Sequence, residues 1–182
     1  MKKLLLAAAA MVCLTSCMNV GDFGAYWEKA GIDPQLLGTW VRVAANPSQT
    51  RERGYPIGDI MRVTERNGAL EEAFTVDGKP SPEAPFYAKT LAVGGYQMVI
   101  VGPRKGFIER YKVSPQTLQL CAFDHLYLAP FVKTNYPRTF NLEVVQGEVK
   151  VNLFDDEVYR IVSNIPDTEE YWDCDVRSER VP

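Results

Sequence analysis

At 182 residues, with 20 basic and 23 acidic side chains and a formal net charge of −3, the chain is long enough for one domain with a sizeable core. It lacks the basic surplus that nucleic acid attracts, so nucleic acid is not an expected partner. Three tryptophans, nine tyrosines and eight phenylalanines exclude a disordered chain.

The first element in chain order is a leader. Lys2 and Lys3 precede an apolar run from Leu4 to Leu14, well short of the ~20 residues that cross a bilayer. A cationic start, a run of this length and small residues at its end are the parts of a secretory signal. The closing Leu14-Thr15-Ser16-Cys17 resembles the lipobox of bacterial lipoproteins. That resemblance implies cleavage before Cys17, a thioether-linked diacylglycerol on its sulfur, and a fatty acyl chain such as palmitate on its new amine. Several chains on one cysteine hold a protein on a membrane where a single chain does so only marginally. The resemblance also implies an address in the cell envelope. Met18 follows the cysteine in place of the aspartate that marks inner-membrane retention, which implies the outer membrane, facing the periplasm. The alternatives are a plain secretory signal with a chance cysteine, or a cytosolic N-terminal helix. Removing residues 1–16 with Lys2 and Lys3 leaves 166 residues and a net charge of −5, from 18 basic and 23 acidic side chains.

The rest divides into 17–36 as lipid anchor, tether and short helix, 37–176 as the folded domain, and 177–182 as a C-terminal tail. Phe23, Tyr26, Trp27 and Ala30 lie at helical spacing between Gly21 and Gly31, and Asp33-Pro34 starts a turn. From Leu37 the period falls to two. Strands are expected at 38–45, 58–66, 69–76, 86–93, 95–101, 106–113, 117–123, 139–146, 148–154 and 157–163. Asn67-Gly68 joins the second and third as a tight hairpin, and Gly94-Gly95 and Gln146-Gly147 suit further short turns. A long loop, 46–57, follows the first strand. Residues 77–85 form a proline-rich extended loop, and 124–136 a helical excursion broken at Pro130. Pro166 to Glu170 has the acidic first turn of a helix running towards Trp172. The pattern predicts a mainly β fold: an antiparallel meander closed into an 8–10-stranded barrel with one or two short helices.

The stretch "DPQLLGTWVRV" resembles the opening of lipocalin-like (calycin-type) barrels, where a helical turn leads into a strand carrying Gly-x-Trp, here Gly38-Thr39-Trp40. "YKVSPQTLQLCAFD", followed by a helix and a last strand, is similar to small bacterial lipocalin-like lipoproteins. The resemblance implies that the indole of Trp40 plugs the closed end, that Gly38 permits close approach there, and that the 46–57 loop caps the mouth. It also implies an arginine from the last strand covering the indole. With 157–162 as that strand, Arg160 is the candidate, sharing its face with Val158 and Val162. The alternative is that Arg160 points to solvent and Trp40 packs on aliphatic groups.

With Cys13 lost in the signal and Cys17 lipidated, Cys121 and Cys174 remain in a compartment where disulfides persist, and they are expected to pair. Two unpaired thiols are the alternative.

The residues assemble no enzyme chemistry, so the chain is not expected to be an enzyme or to carry a cofactor or metal. His125 is the only histidine, and a lone histidine beside two paired cysteines makes neither a catalytic triad nor a zinc set. Asp155-Asp156-Glu157 and Glu169-Glu170 lack the spacing of a calcium loop and read as solvated turns.

Two glutamates stand on apolar faces. Glu72 shares its face with Leu70, Phe74 and Val76, and Glu109 with Phe107, Tyr111 and Val113. Few polar groups converging inside an apolar barrel are how ligand cavities are built, so Glu72, Glu109 and Tyr111 are candidate ligand-binding residues. The alternative is that a bulge turns the glutamates outward or that they pair with Lys89 or Arg110. Three functions follow: an anchored barrel binding a small apolar or amphipathic ligand, an immunity- or inhibitor-type lipoprotein binding an envelope toxin or hydrolase, and, ranked last, an enzyme.

Overall fold

The structure is a computed structural model describing residues 18–44, 57–76, 78–81, 85–145 and 147–182, without the side chains of Ala44, His125 and Asp175. The expected signal, Cys17 and nearly all of the expected 46–57 loop lie outside the described residues.

Twelve strands form one sheet: β1 (Met18–Asp22), β2 (Gly38–Ala44), β3 (Ile60–Arg66), β4 (Ala69–Val76), β5 (Lys79–Pro80), β6 (Phe86–Val93), β7 (Tyr96–Val101), β8 (Arg104–Val113), β9 (Thr117–Phe123), β10 (Leu142–Val145), β11 (Glu148–Val151) and β12 (Trp172–Val181). Among the described residues, three α-helices accompany them: α1 (Ala25–Lys29), α2 (His125–Asn135) and α3 (Asp156–Ser163). Eight strands close a barrel in the order β2-β3-β4-β6-β7-β8-β9-β12, each antiparallel to the next, with β12 returning to β2. The expected antiparallel meander and its closure are borne out.

The alternating pattern explains the barrel strands. In β3, Met61 and Val63 point inward between exposed neighbours. Asn67 and Gly68 both have positive φ, 53° and 74°, which a tight type I′ hairpin requires. Strand β8 serves two partners along one edge. Its C-terminal part, Arg110–Val113, pairs with β9 and closes the barrel, whereas Arg104–Ile108 pairs with β1. Strand β1 in turn pairs in parallel with β11, and β11 with β10, so a wing of three strands leaves the barrel wall at β8. Gly106 lets β8 lie close against the end of β7, because a Cβ there would meet the Val101 carbonyl oxygen at 1.8 Å.

Two apolar clusters result. One fills the barrel around Leu36, Trp40, Val63, Leu70, Val101 and Tyr111. The other lies between the outer face of β6–β9, the wing and the helices, and includes Met18, Ile100, Ile108, Phe123, Leu128 and Ile161.

Five segments differ from expectation. Residues 157–163 form most of helix α3, not a strand. Asp155 caps it by accepting from the Val158 amide at 3.0 Å, and Val158, Ile161 and Val162 bury one face at helical spacing. The β-branched residues mimic a strand, but the cap and the acidic first turn decide. Residues 18–22 are strand β1 rather than a tether, and Met18 and Val20 are buried. The expected tail is the end of β12, which runs from Trp172 to Val181, and the expected helix towards Trp172 is replaced by turns. Helix α2 continues through Pro130; the carbonyl this leaves without an amide donor belongs to Leu126, an exposed residue open to water.

Candidate functional site

The closed end is built from the turn Pro34–Leu36 and the first residues of β2. Asp33 caps the turn through Oδ1, which accepts from the Gln35 amide at 2.9 Å. Trp40 is fully buried and its Nε1 donates to the Leu36 carbonyl at 2.8 Å. The guanidinium over its ring belongs to Arg180, 4.2 Å from the centroid, and not to Arg160. Arg160 stands exposed on α3. An arginine of the last strand does cover the indole, but the last strand is β12. Arg180 also donates from Nη1 to the Leu37 carbonyl at 2.7 Å and from Nη2 to the Gln35 carbonyl at 2.6 Å. Gly38, at φ 134°, makes room for it: a Cβ there would lie 2.8 Å from Arg180 Nη1. Glycine, indole and guanidinium form one plug.

Above the plug, the structure brings Glu72, Glu109 and Tyr111 to one cavity. Pairing of Val63 with Glu72, and of Val99 with Glu109, sets both glutamates on inward positions of β4 and β8. Both suggested partners make other contacts. Lys89 donates to the Trp27 carbonyl at 3.1 Å, and Arg110 pairs with Asp167. Phe74, Val99, Phe107 and Leu120 supply apolar wall. Burial first, and then the facing Glu109, push the Glu72 carboxyl up to about 7. Tyr111 donates from its hydroxyl to Asp33 Oδ2 at 2.9 Å. Burial and this bond to a carboxylate raise its phenol above the ordinary range. Asp33 thus ties the plug to β8 with one oxygen while capping the turn with the other.

The cavity is small. Its volume is about 50 Å³, against the ~300–1,000 Å³ of clefts that enclose drug-sized ligands, so side chains fill most of the barrel. It holds a few waters or a compact head group. Arg42, 5 % exposed, also lines it, with Nη1 3.7 Å from Oδ2 of Asp59, which is 8 % exposed. Arg42 and Asp59 escaped the sequence reading, although Arg42 follows Trp40 by two and so shares its face.

Outside the barrel, Arg110 lies between the rings of Tyr96 and Trp172, 4.5 and 5.1 Å from their centroids. It donates to both oxygens of Asp167, at 2.5 and 3.2 Å, and that hydrogen bonding holds the Asp167 carboxyl below its usual range. The expected Cys121–Cys174 disulfide is present beside this cluster and joins β9 to β12. Among the described residues, no His, Cys, Asp or Glu group of three or more gathers as a metal set, and no helix is long and apolar enough to cross a membrane.

Compared with protein-family models, curated proteins and solved structures, the chain matches none.

Proposed function

We propose that this chain is a lipoprotein of the bacterial cell envelope, anchored through Cys17, whose lipocalin-like barrel binds a small amphipathic molecule. The observation that carries the ligand reading is the convergence of Glu72, Glu109 and Tyr111 on one apolar cavity above a sealed end. The anchor reading rests on Leu14-Thr15-Ser16-Cys17. Since β1 begins at Met18, an acylated Cys17 would hold the barrel against the bilayer with no tether between them. Native mass spectrometry of the protein extracted from its source tests the ligand: a bound small molecule that leaves on unfolding is expected, and a bare polypeptide mass would refute it. Metabolic labelling with an alkyne fatty acid tests the anchor, since Cys17→Ala should abolish the label.

A second reading, an immunity- or inhibitor-type lipoprotein, is favoured by exposed apolar side chains: Phe140 is 93 % and Leu126 81 % exposed. The same spectra separate the two readings, because a stoichiometric partner would add a protein's mass rather than a metabolite's.

A further inference from the structure

We propose that the cleft beside the plug binds a short peptide with free termini, its ammonium at Asp33 and its carboxylate at Lys112. The site is separate from the barrel cavity, although Tyr111 lines both. It opens between the turn at 32–35 and strands β6, β7 and β8, and its volume is about 620 Å³. That lies within the ~300–1,000 Å³ of small-molecule sites, whereas the barrel cavity does not. Alternation along β8 sets Arg110 and Lys112 on its outward side, flanking the inward Tyr111, so both cations border the cleft.

Charge selects the ligand. Arg110 donates to Asp167, whose carboxyl is held low first by those hydrogen bonds and then by the charges of Arg110 and Lys112. Two cations against one carboxylate leave the β8 wall with a surplus positive charge. The turn opposite brings Asp33. Arg180, at the same turn, is not a lining group, and its guanidinium is on the Trp40 ring and the carbonyls of Leu37 and Gln35. Asp33 accepts from the Gln35 amide and the Tyr111 hydroxyl, which uses two of the about four acceptor sites of a carboxylate. Among the described residues, neither Asp33 nor Lys112 is in an ion pair. A ligand of one sign would suit one wall and be repelled by the other, whereas a zwitterion answers both. Gln35, Gln97 and Thr90 also line the cleft. Their amides and hydroxyl match a peptide group, which carries one donor and one acceptor, and so favour a peptide over a single amino acid.

Calorimetric titration of dialanine into the full-length protein in non-ionic detergent at pH 7 tests this, with alanine, N-acetyl-dialanine and dialanine amide run in parallel. Dialanine should bind, and removing either terminal charge should weaken it about fivefold, the contribution of a partly exposed ion pair. Lys112→Gln, a change at an exposed side chain, should weaken dialanine by the same factor and leave dialanine amide, which has no carboxylate, unaffected. Gln97→Ala should weaken all the dipeptides, while Lys133→Gln, on α2 and away from the cleft, should change nothing. No heat from dialanine, blocked dipeptides that bind as tightly as the free one, or a Lys112→Gln protein that binds it normally would overturn the proposal. Alanine binding as tightly as dialanine would overturn the peptide assignment. None of these outcomes touches the barrel ligand, because Glu72 and Glu109 do not line the cleft.

Discussion

Replacing Arg180 by alanine removes a guanidinium that lies 4.2 Å over the Trp40 ring and donates to the carbonyls of Leu37 and Gln35. The ring contact contributes ~1–2 kcal/mol when partly desolvated. The Leu37 bond, part-buried and charge-assisted, adds about 1.5 kcal/mol, and the exposed Gln35 bond little. Arg180→Ala should thus destabilise by about 3 kcal/mol. At a urea slope of ~2 kcal/mol/M, the midpoint falls by about 1.5 M. In a Trp40→Phe background the loss should shrink by about 1 kcal/mol, because the smaller ring offers a weaker face and the paired term is already partly gone. Urea unfolding of the four proteins, followed by far-ultraviolet circular dichroism, measures this directly. Effects additive to within ~0.4 kcal/mol would refute the stacking account. Gly38 supplies a cross-check, since a Cβ there meets Arg180 Nη1 at 2.8 Å and the backbone has φ 134°. Gly38→Ala should cost about 3 kcal/mol in the wild type and about half that with Arg180→Ala, where backbone strain remains but the clash has gone. Equal costs in both backgrounds would show that the glycine is not there to admit the arginine.

The Glu72 carboxyl is raised from 4.5 to about 7, so the folded state binds more protons than the unfolded one between those values. Stability should fall as pH rises from ~4.5 to ~7, by on the order of 3 kcal/mol, and urea melts of Glu72→Gln at pH 5 and pH 8 should lose that decline. Asp167 has the opposite sign: its carboxyl is lowered by Arg110, so its contribution is present above the ordinary carboxylate range and lost as pH falls. Asp167→Asn should therefore flatten the acid limb of the stability curve. Reducing Cys121–Cys174, which are 53 residues apart, should destabilise by about 4 kcal/mol on the chain-entropy model, read as a shift in the urea midpoint with reductant.

The barrel was legible where residues alternate cleanly and turns carry their own chemistry, as in β3, Asn67-Gly68 and β4. It was illegible where a strand's partners, rather than its pattern, decide. Strand β12 reads as Trp-Asp-Cys-Asp-Val-Arg-Ser-Glu-Arg-Val, too charged for a strand of a filled barrel, and two register irregularities break its alternation. It is a strand because β2 and β9 both need an edge covered. Strand β1 is another such case, five residues that pair along Arg104–Ile108, the part of β8 that β9 leaves uncovered. Helix α3 failed for a different reason: Val158, Ile161 and Val162 look like strand residues until the Asp155 cap is recognised. The cavity acids were visible because each broke an apolar face. Arg180 was not, since seeing it required β12 to be known as the last strand, whereas Arg42 stood on the Trp40 face of an expected strand.

The strand register gives β8 a double role that the fold and the site share. Its inward residues, Glu109 and Tyr111, face the cavity, while between them Arg110 faces outward into the Tyr96–Trp172–Asp167 cluster beside the disulfide. The cavity wall is held from both sides of one strand: Tyr111 by Asp33 at the plug, and Arg110 by the turn before β12. Two carboxyl side chains that repel each other stay convergent only where the backbone carrying them cannot yield. The excursion of residues 124–171, which adds β10, β11 and two helices to an eight-strand meander, supplies that rigidity by joining β1 in covering the outer face of β6–β9 with a second core.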